Sequence, residues 1–563
     1  MVSKQKKKDF KTLGLAILVI VVVNILSGQF FGRLDFTAEK RYTLSDVSKK
    51  ILRDLKEPVV ITVYLEGDFP SGFKRLRNAS KDLLTDFKAY AGSNIEYQFI
   101  DPTSGKNEQQ KQEFFNELYA KGIEATNLSV KTESGLTQKV IIPAALVSFN
   151  GKEIPVKLLQ SRMGLSPEEV LNNSVQNLEF AFISAIKKIA SGGKPRIAFT
   201  TGHNELSNLQ LQDAVKGLSD GYDVVRLDLT ATPFTEIEKL KLLIIAKPNT
   251  EFTEAEKFKI DQFLMRGGKV IWAIDQVNAD LDSVKIGRGQ QLAFGKKLNL
   301  DDQLFKYGIR INYDLIGDMN CGQIPVSVGN VGTDAQIQMV PWLFNPIIMP
   351  MLQHPIIKNL DGIKTQFAST IDTIATKNVR KTILLSTSPY NRELQTPTMI
   401  SLDMIEDTPE PKKFQSKPKA VGVLLEGQFA SNFLNRPTPE GINESISVLP
   451  KSKPTKMLFF SDGDIFRSDI SDKDGSVYPL GYDRFMQQTF GNKSLLLNAV
   501  DYLTDDSQLI NLRSKEIEMR LLDKGRLVSE KTKFQIINTV VPILMVIIFG
   551  IFQHIYRRRK FAA

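Results

Sequence analysis

A single cysteine, Cys321, stands in the 563 residues of this chain. One thiol excludes an intramolecular disulfide, a cysteine-based zinc site and a Cys-x-x-Cys redox pair. Histidine is nearly as scarce, with His203, His354 and His554 the three in the chain. Chemistry that depends on a histidine cluster is therefore out of reach. No Gly-x-Ser-x-Gly elbow is present to carry a hydrolase nucleophile. The nearest approach to a phosphate-binding loop runs from Gly289 to Gly295 and Lys296. Its spacing is one residue too long, and Lys297 stands where Ser or Thr would hold magnesium. The net charge of +10 invites a nucleic-acid reading. Much of it lies in two terminal clusters, and no domain-wide basic face interleaved with aromatics follows. The expectation is a chain that is not an enzyme, with no catalytic residue, cofactor, metal site or nucleic-acid partner.

What is present is a pair of apolar runs that bracket the chain. The first runs from Leu13 to Phe31 and the second from Phe534 to Ile555. A helix needs roughly 20 apolar residues to cross a bilayer core. Lys6, Lys7 and Lys8 precede the first run, and Arg557, Arg558 and Arg559 follow the second. Positive charge stays in the cytoplasm, so two spans would leave both basic termini, 1–12 and 556–563, inside and the bulk of the chain outside. A cleavable signal peptide with its apolar core at 13–23 is the other reading of the first run. Pro542 is expected to kink the second.

Between the anchors the expected fold class is α/β. Residues 33–160 read as βαβαββ, a thioredoxin-like unit without thioredoxin's cysteines. Residues 161–193 read as a helical linker. Residues 194–510 alternate strands and helices, which implies a doubly wound parallel sheet covered on both faces. An irregular insertion is expected at about 276–450, with a mobile charged loop at 406–419, and a stalk at 511–533 leads to the second anchor. Residues 341–351, with Trp342, Phe344, Met349 and Met351, read either as a docking surface or as core.

Open α/β sheets bind ligands beyond the carboxyl ends of their strands. The residues standing there are His203, Glu205, Asp275, Asp462 and Asp464. They form a ligand site if they converge on one crevice. Otherwise His203 and Glu205 cap a helix and the aspartates belong to an ordinary polar turn. Cys321 lies in a Gly/Pro segment and reads as a small packed residue.

Several short motifs carry a family resemblance. They are Arg33-Leu34-Asp35-Phe36-Thr37 with Tyr42-Thr43-Leu44-Ser45, Gly202-His203-Asn204-Glu205, Ser461-Asp462, Asn498-Ala499-Val500-Asp501-Tyr502-Leu503 and Leu512-Arg513-Ser514-Lys515. Their order resembles the auxiliary family of ABC transporters, in its gliding-motility branch. Asn204 departs from it, since the family more often has a second glycine there. The resemblance implies a bacterial inner-membrane protein with both termini cytoplasmic and a large periplasmic domain. It implies a separate permease subunit of the GldF type and a separate ATPase subunit of the GldA type. It further implies a second domain resembling class I glutamine amidotransferases in fold. Their cysteine nucleophile has no counterpart here, because Cys321 is not at a strand-end elbow. The alternative is a periplasmic receptor for carbohydrate or another envelope ligand, built around His203, Asp275 and Asp462.

Overall fold

The computed structural model describes residues 2–29, 43–67, 69–123, 125–132, 135–160, 165–190, 193–331, 334–405, 410–505, 507, 509–514 and 529–561. Phe31, the motif at 33–37, Tyr42, Lys515 and most of the expected stalk lie outside these residues. The chain divides into one unit, Met1–Lys515, and a second, Glu516–Ala563.

Helix α1 (Val2–Gln29) contains an apolar stretch, Phe10–Asn24, that is shorter than a bilayer span. The C-terminal helix Lys531–Phe561 contains Pro542. Among the described residues it is the one helix long and apolar enough to cross a membrane.

The first lobe opens with α2 (Asp46–Arg53), capped by Ser45, whose hydroxyl accepts from the Ser48 amide. It continues through β1 (Val59–Val63), α3 (Ser71–Ala91), β2 (Ile95–Phe99) and α4 (Glu108–Ala120). Four strands follow: β3 (Thr126–Thr132), β4 (Gly135–Ile141), β5 (Ala144–Phe149) and β6 (Lys152–Lys157). The sheet order is β2-β1-β5-β6, with β1 parallel to β2 and antiparallel to β5. The single strand expected over 139–149 is in fact two. Pro143, which has no amide to donate, separates β4 from β5. As a result β3 and β4 pair as a ribbon of their own. Helix α5 (Pro167–Ala190) sends Leu178, Phe182, Ile183 and Ile186 into the core beneath this sheet, so its apolar stripe is part of the first lobe.

The second lobe follows with β7 (Arg196–Thr201), α6 (Gln212–Ser219), β8 (Asp223–Asp228), α7 (Phe234–Ile237), β9 (Leu242–Ala246), α8 (Glu254–Met265) and β10 (Lys269–Ala273). Thr253 and Glu256 close a reciprocal capping box at the start of α8. Alternate strand residues sort to opposite faces. Phe199, Ile244, Ile271 and Leu458 enter one core, and Ala198, Ile245, Trp272 and Phe459 the other.

The fully parallel sheet expected here is mixed. Strand Thr455–Phe460 joins β10 in parallel, but Ala420–Gly427 and Val379–Ser386 then extend the sheet antiparallel. Both come from the stretch expected to be irregular, which is instead rich in strands. The 406–419 loop is also pinned at its described end. Phe414 is buried under the guanidinium of Arg392, 4.9 Å from its ring. The 341–351 stretch divides: Trp342 and Phe344 pack in an aromatic core with Phe367, while Met351 is 92% exposed. Cys321 begins a strand, Cys321–Val331, and burial together with the Asp318 charge pushes its thiol up to about 11. That is far from a nucleophile.

Candidate functional site

Strand order fixes where a site would lie. From β7 the chain turns one way to β8, while β9, β10 and Thr455–Phe460 lie on the other side of β7. The gap between the carboxyl ends of β7 and β9 is thus the topological switch point of the parallel strands. The loop leaving β7 turns at Gly202, whose φ of 111° suits glycine, and at Asn204, with φ 54°. It is stitched to the chain leaving β9 by the Asn249 amide on the His203 carbonyl (2.7 Å) and the Leu206 amide on the Ala246 carbonyl (3.2 Å).

His203 is 3% exposed. Its Nδ1 lies 3.4 Å from Glu205 Oε1, its Nε2 lies 3.3 Å from Glu256 Oε2, and its ring stacks 3.8 Å from that of Phe252. Burial alone would lower the imidazole's pKa, but the two carboxylates outweigh it and lift the value to about 9. Burial would likewise raise Glu256, but hydrogen bonds from His203, Thr230 and Thr253 hold it at about 2. The site is therefore a buried imidazolium between two carboxylates. Because the folded value exceeds the ordinary 6.5, the pair's contribution is complete below pH 6.5 and is lost as pH rises through 9. A loss of roughly 3 kcal/mol is expected over that window. Denaturant titrations at pH 6 and pH 9.5 measure it, and His203→Gln should flatten the difference.

The aspartates form a second cluster. Ligand atoms of Asp275, Asp462 and Asp464 all lie within 4.8 Å of one another. The Gly463 amide donates to Asp275 (2.5 Å), and the Gln366 and Asp464 amides donate to Asp462 (3.0 and 2.8 Å). Burial, with Asp464 and Asp275 beside it, pushes the Asp462 carboxyl well above the usual carboxylate range. Asp464 is held low against its own burial by Lys247 and Arg467. The Lys247 ammonium donates to Asp464 and lies 3.5 Å from Asp275. Lys247 itself has φ 58°, a costly conformation away from glycine. A Cβ on Gly463 would come within 2.8 Å of the Lys247 side chain, so this close approach requires glycine. Lys296 stands 3.6 Å from Asp275. A metal ion here would meet an ammonium and a guanidinium already bound to its ligands, so the donor set fits an ion-pair network better than a metal centre.

The two clusters adjoin through Asn249, which donates to the Asn204 carbonyl (2.7 Å) and accepts from Lys296 (2.8 Å). Of the five residues singled out in sequence, His203 and Glu205 thus share one group and the three aspartates another. Glu256, Lys247, Lys296, Arg467 and Phe252 complete them. The cavity that Asp464 and Arg467 do line holds about 20 Å³, room for about one water.

A second arrangement lies where the lobes meet. Lys187 of α5 donates to Asp505 (2.6 Å) and Ser507 (2.7 Å), and Lys188 to Asp501 (3.0 Å), which also accepts from the Tyr222 hydroxyl (2.8 Å). The turn Leu509–Ser514 then splits its apolar residues. Leu509 is buried in the first lobe's core and Ile510 in the second's. Arg513 donates to the Lys358 carbonyl (3.1 Å) and sits 5.5 Å from the Phe180 ring. Its buried guanidinium is pulled down to about 10 by desolvation.

Residues 38–148 match a domain of unknown function. An uncharacterized protein of Borreliella burgdorferi is 22% identical over 99% of this chain and 100% of its own length. Among solved structures, the mmIFT52 N-terminal domain is 15% identical, with a TM-score of 0.32, covering 55% of this chain and 98% of that domain. A ThuA-like protein from Bacteroides uniformis is 15% identical, with a TM-score of 0.27, covering 56% and 94%. Likeness this weak carries no functional argument. Residues 194–499, just over half of the chain, match the family described as ABC-type uncharacterized transport system, and this protein belongs to that family.

Proposed function

We propose that the chain is a non-catalytic, membrane-anchored auxiliary subunit of an ABC-type transporter complex of the gliding-motility (GldG) kind. Its partners are a GldF-type permease and a GldA-type ATPase. In this reading the N-terminal run is a second anchor, both termini are cytoplasmic and the two lobes are periplasmic. The first lobe is read as thioredoxin-like, from its β2-β1-β5-β6 order, and the second as amidotransferase-like, from its switch-point sheet. The observation that carries the reading is the occupied crevice. The place where an α/β enzyme or receptor would bind is filled by the protein's own imidazolium–carboxylate and lysine–aspartate groups. His203, Glu205, Asp275, Asp462 and Asp464 are accordingly scaffold. The joint supports the same reading. The chain that continues to the C-terminal helix leaves from the turn wedged between both cores, so displacement of the anchor would act on both lobes. Purification of the intact protein with its neighbours tests the proposal.

A further inference from the structure

A cavity of about 710 Å³ opens on the second lobe beside the helix Asp301–Tyr307, the strand Ile309–Ile311 and the turn at 431–436. That volume falls in the range of small-molecule sites, roughly 300–1,000 Å³. One buried carboxylate fixes its walls. Asp261, with no exposed surface, accepts from the Tyr307 hydroxyl (2.9 Å) on the helix side. On the turn side it accepts from Ser431 Oγ (2.6 Å) and the Asn432 amide (2.9 Å). Burying a carboxylate is costly unless it is well bonded. Here its bonds hold two cavity walls at a set separation, which is preorganisation.

The charges in the walls are largely compensated within the protein. Asp302 accepts from the buried Lys257 (2.7 Å) and from Asn432 (3.1 Å), and Arg310 donates to Asp372 (2.8 Å). An ion is therefore not selected by net charge. Beyond these bonds the lining offers further lone pairs on Asp301, which accepts from the Tyr313 hydroxyl (2.7 Å), and on Asp302, which Arg436 reaches at 3.5 Å, further N–H donors on Lys306 and Arg436, and the side-chain amide of Asn432. Phe305 also lines this polar cavity, with 53% of its surface exposed, and Tyr313 stands beside it at 40%. A sugar matches this combination. Its hydroxyls donate and accept, so planar carboxylate, amide and guanidinium groups can each engage two of them, while its C–H face packs on an aromatic ring.

We infer that this cavity is a binding site for a neutral saccharide. The site is separate from the strand-end clusters and from the joint between lobes, so it stands or falls independently of assembly with a transporter. The experiment is saturation-transfer difference NMR on the full chain in phospholipid nanodiscs, with maltose, cellobiose and chitobiose as the probes. Transfer to the ring C–H protons of at least one sugar is expected. Phe305→Ala should weaken binding roughly tenfold, the loss expected for one aromatic contact, while Phe305→Trp should retain it. Both changes are at a half-exposed ring, so circular dichroism should match the parent. The inference is overturned by no transfer to any of the three sugars, or by equal binding in Phe305→Ala. Transfer to citrate or glycerol 3-phosphate without transfer to sugars would also overturn it, by marking an ionic site instead.

Discussion

Glu256→Ala is expected to destabilise the second lobe by about 3–5 kcal/mol, the cost of breaking a buried ion pair by removing one partner. Glu256 does three jobs with one carboxylate. It receives the Thr253 amide (2.8 Å) and hydroxyl (2.7 Å) at the start of α8, the Thr230 hydroxyl (2.7 Å), and the His203 imidazolium at 3.3 Å. Alanine removes the reciprocal half of the capping box, leaving Thr253 to cap α8 alone, and leaves a buried cation with Glu205 alone. The fold then retains the imidazolium less well, so the loss of stability between pH 6.5 and 9 should shrink in this variant. Glu256→Gln keeps one acceptor oxygen for Thr253, while its NH2 group can donate to the Thr230 hydroxyl, and should cost distinctly less. Trp272 and Trp342, both buried in this lobe, make tryptophan fluorescence during denaturant unfolding the direct readout. A cost within the 0.5 kcal/mol typical of surface changes would show that the imidazolium is not paired as described.

The second large effect is expected at the joint. Leu509→Ala and Ile510→Ala should each cost about 2–4 kcal/mol as buried truncations, but in different places. The first should weaken the lobe built on β1, β2, β5 and β6, and the second the lobe built on β7 to β10, because each side chain enters a different core. Neither residue lies within the predicted anchors, so the double variant should still assemble with a permease and an ATPase. What it should lose is the coupling: the two lobes should become separately cleavable by protease near 505–514, and the complex's stimulated ATPase rate should fall several-fold. An intact, fully active complex with a freed turn would show that the joint transmits nothing.

Much of this structure is legible in the amino-acid order, for identifiable reasons. Leu242–Ala246 is an unbroken apolar run, buried throughout, which marks the central strand of a parallel sheet. The Thr253–Glu256 box marks the start of α8. The same sequence does not reveal that Glu256 faces His203, because a capping glutamate and an ion-pair partner look alike until two loops are brought together. Lys247 is a comparable case. A lysine placed immediately after a wholly apolar strand is a signal, yet its meaning depends on Asp275 and Asp464 arriving from later strands. The antiparallel strands Val379–Ser386 and Ala420–Gly427 were obscured by the charged, proline-rich residues that precede the second. Their place at the sheet edge follows from tertiary pairing, which local pattern does not encode. Leu509 and Ile510 are two adjacent apolar residues, and nothing local says that each belongs to a different core.

As proposed above, this chain works as a partner of a transporter and not as a catalyst. The most direct measurement is affinity purification of the full-length protein from native membranes, followed by identification of the proteins that remain bound. The expected result is a polytopic ABC permease and an ABC ATPase at stoichiometric levels, retained when His203 and Asp462 are replaced and lost when the C-terminal helix Lys531–Phe561 is exchanged for an unrelated span. Recovery of the chain free of both subunits, under conditions that preserve other ABC complexes from the same membranes, would show that it is not a subunit of such a transporter.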